Sequence, residues 1–112
     1  MALQKSITLP NTAAGDYIRL GGYRWDRMTR EASAHFHLFG SAAAASINPQ
    51  SPLCLIAVLR LEGAKFDQYL SNAVLEATEA TIAGQLYLAA RSEPLIAGGG
   101  LTAVALADAA DV

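Results

Sequence analysis

The chain has 112 residues, of which 53% are apolar and 16% charged, and its formal net charge is −2. This length fits one domain, and the slight negative charge argues against bulk electrostatic attraction to nucleic acid or to an anionic membrane. The charged fraction is below the ~25% usual for soluble domains, and 23 residues are alanine, so we expect other chains to cover part of the surface.

The single cysteine, Cys54, excludes an internal disulfide and fits a reducing compartment. The first ten residues lack the apolar core of a signal peptide. The uncharged stretch from Pro94 to Ala107 is too short for a membrane span. We therefore expect synthesis in the cytoplasm without export.

The N-terminal half has the pattern of three extended segments. Leu3 to Leu9 alternates between apolar and polar positions, which predicts a strand. Tyr17 to Asp26 and Glu31 to Gly40 are the next two strands, folded back on each other around a turn at Arg27–Arg30. Gly21-Gly22 interrupts the first of these two, and glycine inside a strand indicates a bulge, so we expect the register to break there.

The second half mixes one buried strand with helical patterns. Ser41 to Ser51 is of low complexity and is predicted to be a loop. Leu53 to Leu61 is apolar on both faces and predicts a buried strand. Helical spacing follows, first from Ser71 as N-cap and then from about Ala80 to Arg91.

These elements predict an α+β fold, with an antiparallel β-sheet or small β-sandwich and one or two short C-terminal helices. Residues 1–91 would form the β-rich domain with its helical segment. Residues 92–112 would be an apolar Ala/Gly-rich tail or arm that is ordered at an interface.

No sequence motif predicts catalysis, and we expect neither an enzyme nor a cofactor. His35 and His37 share a strand face and could both reach one metal ion, but no cysteine pair or nearby carboxylate supplies further ligands. The simpler interpretation is that the two histidines occupy a half-exposed sheet face and bind no metal. Cys54 lies between leucines and is interpreted as a small buried hydrophobe rather than a reactive thiolate.

Aromatic and basic residues on the second strand predict a contact surface. By alternation Tyr17, Arg19, Tyr23 and Trp25 would share one face, with Arg24 on the other face unless a bulge at Gly21-Gly22 shifts the register. Such a composition is found both in protein interfaces and in single-strand nucleic-acid platforms. Nearby acidic residues offset the charge, which favours the protein interface and argues against a nucleic-acid partner. The candidate interface residues are Tyr17, Arg19, Tyr23, Trp25, Leu95, Ile96, Leu101, Val104 and Leu106.

The layout of the chain resembles small structural proteins encoded in the virion gene clusters of tailed bacteriophages. The resemblance is carried by MALQKSITLPN, then DYIRLGGYRWD, a short turn and EASAHFHLFGS, and later by QYLSNAVLEA, GQLYLAA and the terminal DAADV. It implies a non-enzymatic tail, baseplate or fibre-associated protein, located in the virion and present in several copies. Its partners would be itself and other virion proteins, with no membrane and no nucleic acid.

Two other classes stay open at this point. One is a small cytoplasmic interaction or assembly-chaperone module. The other is a metal- or ligand-binding protein that uses His35 and His37.

Overall fold

A computed structural model describes residues 2–10, 14–26, 28–50, 52–71, 81–98, 101 and 104–111. The strands are β1 (Leu3–Thr8), β2 (Ala14–Asp26), β3 (Glu31–Phe39), β4 (Cys54–Glu62), β5 (Ile96–Ala97) and β6 (Ala110–Asp111). The helices are α1 (Ala42–Ile47), α2 (Ala64–Leu70) and α3 (Ile82–Ser92).

The strands form one antiparallel sheet of six strands in the order β5-β4-β3-β2-β1-β6. Strands β1 to β4 are neighbours in sequence and in space, as consecutive antiparallel strands usually are. The predicted α+β class with an antiparallel sheet is confirmed. In the described part of the chain the strands belong to this single sheet, and not to the two packed sheets of a sandwich.

Irregularities in the pairing change which side chains share a face. In the pairing of β2 with β3 the register shifts between Leu20 and Gly22, so the break expected at Gly21-Gly22 is confirmed. The pairing of β3 with β4 shifts between Phe36 and His37. Because side chains alternate in a strand, each extra residue moves all later side chains to the opposite face.

One sheet face, called the covered face here, carries the hydrophobic core. It presents Ile18, Phe36, Leu38 and Leu59, all of which are fully buried. Helices α2 and α3 supply the side chains that cluster with them, which are Phe66, Tyr69, Leu70, Leu86 and Tyr87. The rings of Phe36 and Tyr87 meet edge to face, with centroids 5.5 Å apart.

Tyr87 also supports the bulge in β2. The backbone N–H of Leu20, next to the register shift, donates to the hydroxyl of Tyr87 at 2.6 Å. The bond is partly buried, and it gives this N–H an acceptor where the bulge meets the core. Burial raises the pKa of Tyr87 further above neutrality, so its hydroxyl is protonated at neutral pH.

One local prediction needs correction. Residues 42–47, predicted to be a loop, form α1, and the Ser41 side chain accepts from the Ala44 N–H at 3.1 Å. This cap and the burial of Ala45 stabilise a helix too short to form alone. Ser71, predicted to be the N-cap of a helical segment, follows the last residue of α2. The rest of the helical segment expected after Ser71 lies outside the described residues.

The described part of the tail packs on its own chain. Strand β5 pairs with β4, and β6 pairs with Leu3 and Gln4 of β1. Leu106 and Ala109 belong to the core, and Lys5 Nζ lies 2.8 Å from a carboxylate oxygen of Asp108. Leu106 is only 1% exposed, so it is a core residue and is unavailable as the contact residue that was predicted.

Among the described residues, no helix has both the length and the apolar character needed to cross a lipid bilayer.

Candidate interaction surface

The second sheet face, called the open face here, carries mostly polar and half-exposed side chains. Residues that pair across the strands share a face, so the register arranges this face in cross-strand rows. From the β2–β3 turn upward the rows are Asp26–Glu31–Glu62, Arg24–Ser33–Arg60, Gly22–His35–Val58–Ile96, Arg19–His37–Leu55 and Tyr17–Phe39.

The last of these rows is partly closed. Phe39 is buried, and Tyr17 lies edge to face against it with ring centroids 6.4 Å apart. Helix α1 begins three residues after β3 ends and contacts both β2 and β3. The accessible part of the open face therefore runs from Arg19 towards the turn.

The bulge separates the four aromatic and basic residues that were predicted to share a face. Tyr17 and Arg19 lie on the open face, whereas Tyr23 pairs with Ala34 and Trp25 with Ala32 on the covered face. Tyr23 is 46% exposed and Trp25 packs against the core. The prediction of one shared face is wrong, because the extra residue in β2 turns the later side chains over. These four side chains do not form a single stacking platform.

The candidate contact residues of the tail also differ among themselves. Leu95, Leu101 and Val104 are partly buried against the core. Ile96 is 55% exposed and shares a row with Val58, which extends the open face across β5. Of the five tail candidates, Ile96 is the one with a clearly exposed apolar side chain.

His35 and His37 share the open face, as predicted from their spacing. The ring of His37 lies directly over Gly21, where a β-carbon would overlap its Nδ1 atom. Glycine at the bulge therefore gives the imidazole its position. No group of three or more histidine, cysteine, aspartate or glutamate side chains in the described ranges is placed to hold a metal ion.

The position of His37 predicts that stability depends on pH. Burial, and secondarily the charge of His35, lowers the pKa of His37 below its usual value. The unfolded chain, with a histidine pKa of about 6.5, then binds the proton more tightly than the folded chain. We expect the free energy of unfolding to fall as the pH is lowered from about 7 to about 5, and His37→Gln to flatten that slope.

Urea unfolding at a series of pH values measures this slope. His35→Gln is the matched control, since it removes only the lesser cause and should keep most of the dependence. An unchanged slope in His37→Gln would contradict the assignment to His37.

Cys54 is half-buried, and burial raises the pKa of its thiol. The thiol is therefore protonated at neutral pH, which suits a packing residue better than a nucleophile.

The two rows nearest the turn have opposite charges. The acidic row is Asp26, Glu31 and Glu62, and the basic row is Arg24, Ser33 and Arg60. Both rows line a solvent-open depression of about 480 Å³. Arg60 and Glu62 lie 3.3 Å apart across the two rows, and both side chains are 60% exposed.

The β2–β3 turn holds these rows in place. The N–H groups of Met28 and Thr29 donate to Asp26 Oδ1 at 2.9 and 3.2 Å, so Asp26 closes the turn. Arg30 bonds both carboxylate oxygens of Asp67 in α2, and the Gly63 N–H donates to the Arg30 carbonyl at 3.1 Å. The hairpin end is thus fixed to the start of α2.

The charged rows were not identified from the sequence. Their members come from three strands, and only the register brings them together. A local signal did exist, since Arg24-Trp25-Asp26 and Arg60-Leu61-Glu62 each place opposite charges two residues apart on one strand face.

No protein-family model, no curated protein and no solved structure was found to match this chain.

Proposed function

We propose that this chain is a non-enzymatic structural subunit of a tailed-phage virion, associated with the tail, baseplate or fibre. In this proposal it acts through contacts with copies of itself and with other virion proteins. The open face and its Ile96 edge form the contact surface, and the C-terminal segment completes the core that supports it.

The observation that supports the proposal most is the asymmetry of the sheet. Two helices and the C-terminal segment bury one face of the sheet. On the other face Arg19, His35 and Ile96 are exposed and Val58 is half-buried. A sheet face with mixed arginine, aromatic and aliphatic side chains suits recognition of protein. The low charged fraction of the chain favours the same class.

The sheet edges add a second means of contact. Strand β5 pairs with Ala57 and Val58, so beyond Val58 the outer edge of β4 has no pairing strand among the described residues. An edge of this kind can pair with a strand from another subunit.

Mass spectrometry of gradient-purified phage particles tests the proposal. We expect the chain to be recovered with the mature particles at more than one copy per particle. A gold-labelled antibody should place it on the tail. Recovery only from assembly intermediates would favour the alternative, an assembly chaperone. Absence from both fractions would contradict a role in the virion.

A further inference from the structure

We propose that the charged end of the open face binds a second copy of this chain, face to face about a two-fold axis, with the basic row of each copy against the acidic row of the other. This inference rests on the proposed function, because it names the partner of one part of the contact surface.

The two rows are adjacent and parallel. Arg24 and Asp26 are two residues apart in β2, and Arg60 and Glu62 are two residues apart in β4. Such residues lie on one strand face about 7 Å apart, and neighbouring strands are about 4.8 Å apart. The rows therefore form two charged stripes of opposite sign, side by side across three strands.

This arrangement is complementary to itself. A two-fold axis that runs between the stripes and parallel to them exchanges the stripes when a second copy is placed on top. The axis keeps each strand opposite its own equivalent, so Arg24 faces Asp26 of the second copy and Arg60 faces Glu62. Residues of both stripes line the depression of about 480 Å³, which leaves room for the long arginine side chains.

The charge pattern fits a second copy better than other partners. Two arginines and three carboxylates stand together in the two rows, so a uniformly charged partner such as nucleic acid would meet repulsion from one of them. The intrachain ion pair of Arg60 and Glu62 leaves both side chains available for a contact between copies, because exposed ion pairs contribute little to stability and rearrange easily.

Charge exchange at Arg60 and Glu62 tests the contact in the intact chain. Arg60→Glu would place like charges opposite Glu62 of the second copy, and Glu62→Arg would do the same opposite Arg60. The double variant Arg60→Glu/Glu62→Arg exchanges both positions, so it restores the intrachain pair and the contact between copies. Arg19→Glu is the matched control, since Arg19 lies two rows above the basic row on the same face.

Sedimentation equilibrium up to about 1 mM protein measures the dimer dissociation constant. We expect a weak dimer that dissociates further as salt rises from roughly 0.05 M to roughly 0.5 M. Each single variant should raise the dissociation constant about tenfold or more, because the symmetry places the change twice in the contact. The double variant and Arg19→Glu should stay within about threefold of the parent chain.

Circular dichroism and urea unfolding establish that each variant is folded, which exposed substitutions should allow. Three results would overturn the inference: a parent chain that is monomeric at low salt, single variants that dimerise normally, or a folded double variant that does not recover. Recovery of the chain in phage particles does not depend on this contact. Mass spectrometry of the particles therefore tests the proposed function independently of the dimer.

Discussion

Leu106→Ala is expected to lower the free energy of unfolding by about 2–5 kcal/mol, the range for removing a buried leucine side chain. Leu106 is 1% exposed and packs in the same core as the sheet and helices. Its segment is fixed on both sides, because Lys5 donates to the carbonyl of Ala105 before it, and Asp108 and β6 after it contact Lys5 and β1. Because neighbours held in this way relax little, most of the cavity should remain.

Ile96→Ala is the matched control in the same tail. Ile96 is 55% exposed, so the same kind of truncation should change the free energy of unfolding by no more than about 0.5 kcal/mol. Urea denaturation of both variants, at a low protein concentration where self-association is negligible, gives the comparison. Equal and small effects would mean that Leu106 is a surface residue of an arm and not part of the core.

The contrast between these two residues shows what the sequence could not predict. Leu106 lies in an Ala/Gly-rich stretch whose local pattern indicates an arm, and its burial depends on β1, about a hundred residues earlier in the chain. Contacts this far apart in sequence leave no periodic pattern. The strands, in contrast, follow from local patterns of apolar residues, and β2, β3 and β4 lie within three residues of their predicted ends.

The contact surface, like the fold, could be predicted only where it depends on local sequence. The break at Gly21-Gly22 follows from glycine chemistry and was found. Which side chains then share a face depends on the residue that is skipped and on the partner strand. The strand register was therefore needed to see that Tyr17 and Trp25 lie on opposite faces, and that Arg24 and Glu62 belong to charged stripes.

Gly15→Ala is expected to lower the free energy of unfolding by about 1–3 kcal/mol, the usual cost of overpacking a well-packed site. Gly15 is buried in β2, and a β-carbon there would overlap the carbonyl oxygen of Phe39 and lie 3.0 Å from Cγ of Leu38. A backbone carbonyl within the central strands cannot rotate away. Relief requires β2 and β3 to separate at the end that holds the Tyr17–Phe39 pair.

Two other glycines in β2 provide graded controls for this substitution. At Gly21 the overlap is with the imidazole of His37, which can rotate towards solvent, so alanine should cost less than at Gly15. At Gly22 nothing lies within 4 Å of the added carbon, and alanine should change stability by no more than about 0.5 kcal/mol. Urea unfolding should therefore rank the variants Gly15, Gly21, Gly22 in decreasing cost. If Gly22→Ala lowered stability the most, the close approach of β2 to the Phe39 carbonyl at Gly15 would not explain the cost of these substitutions.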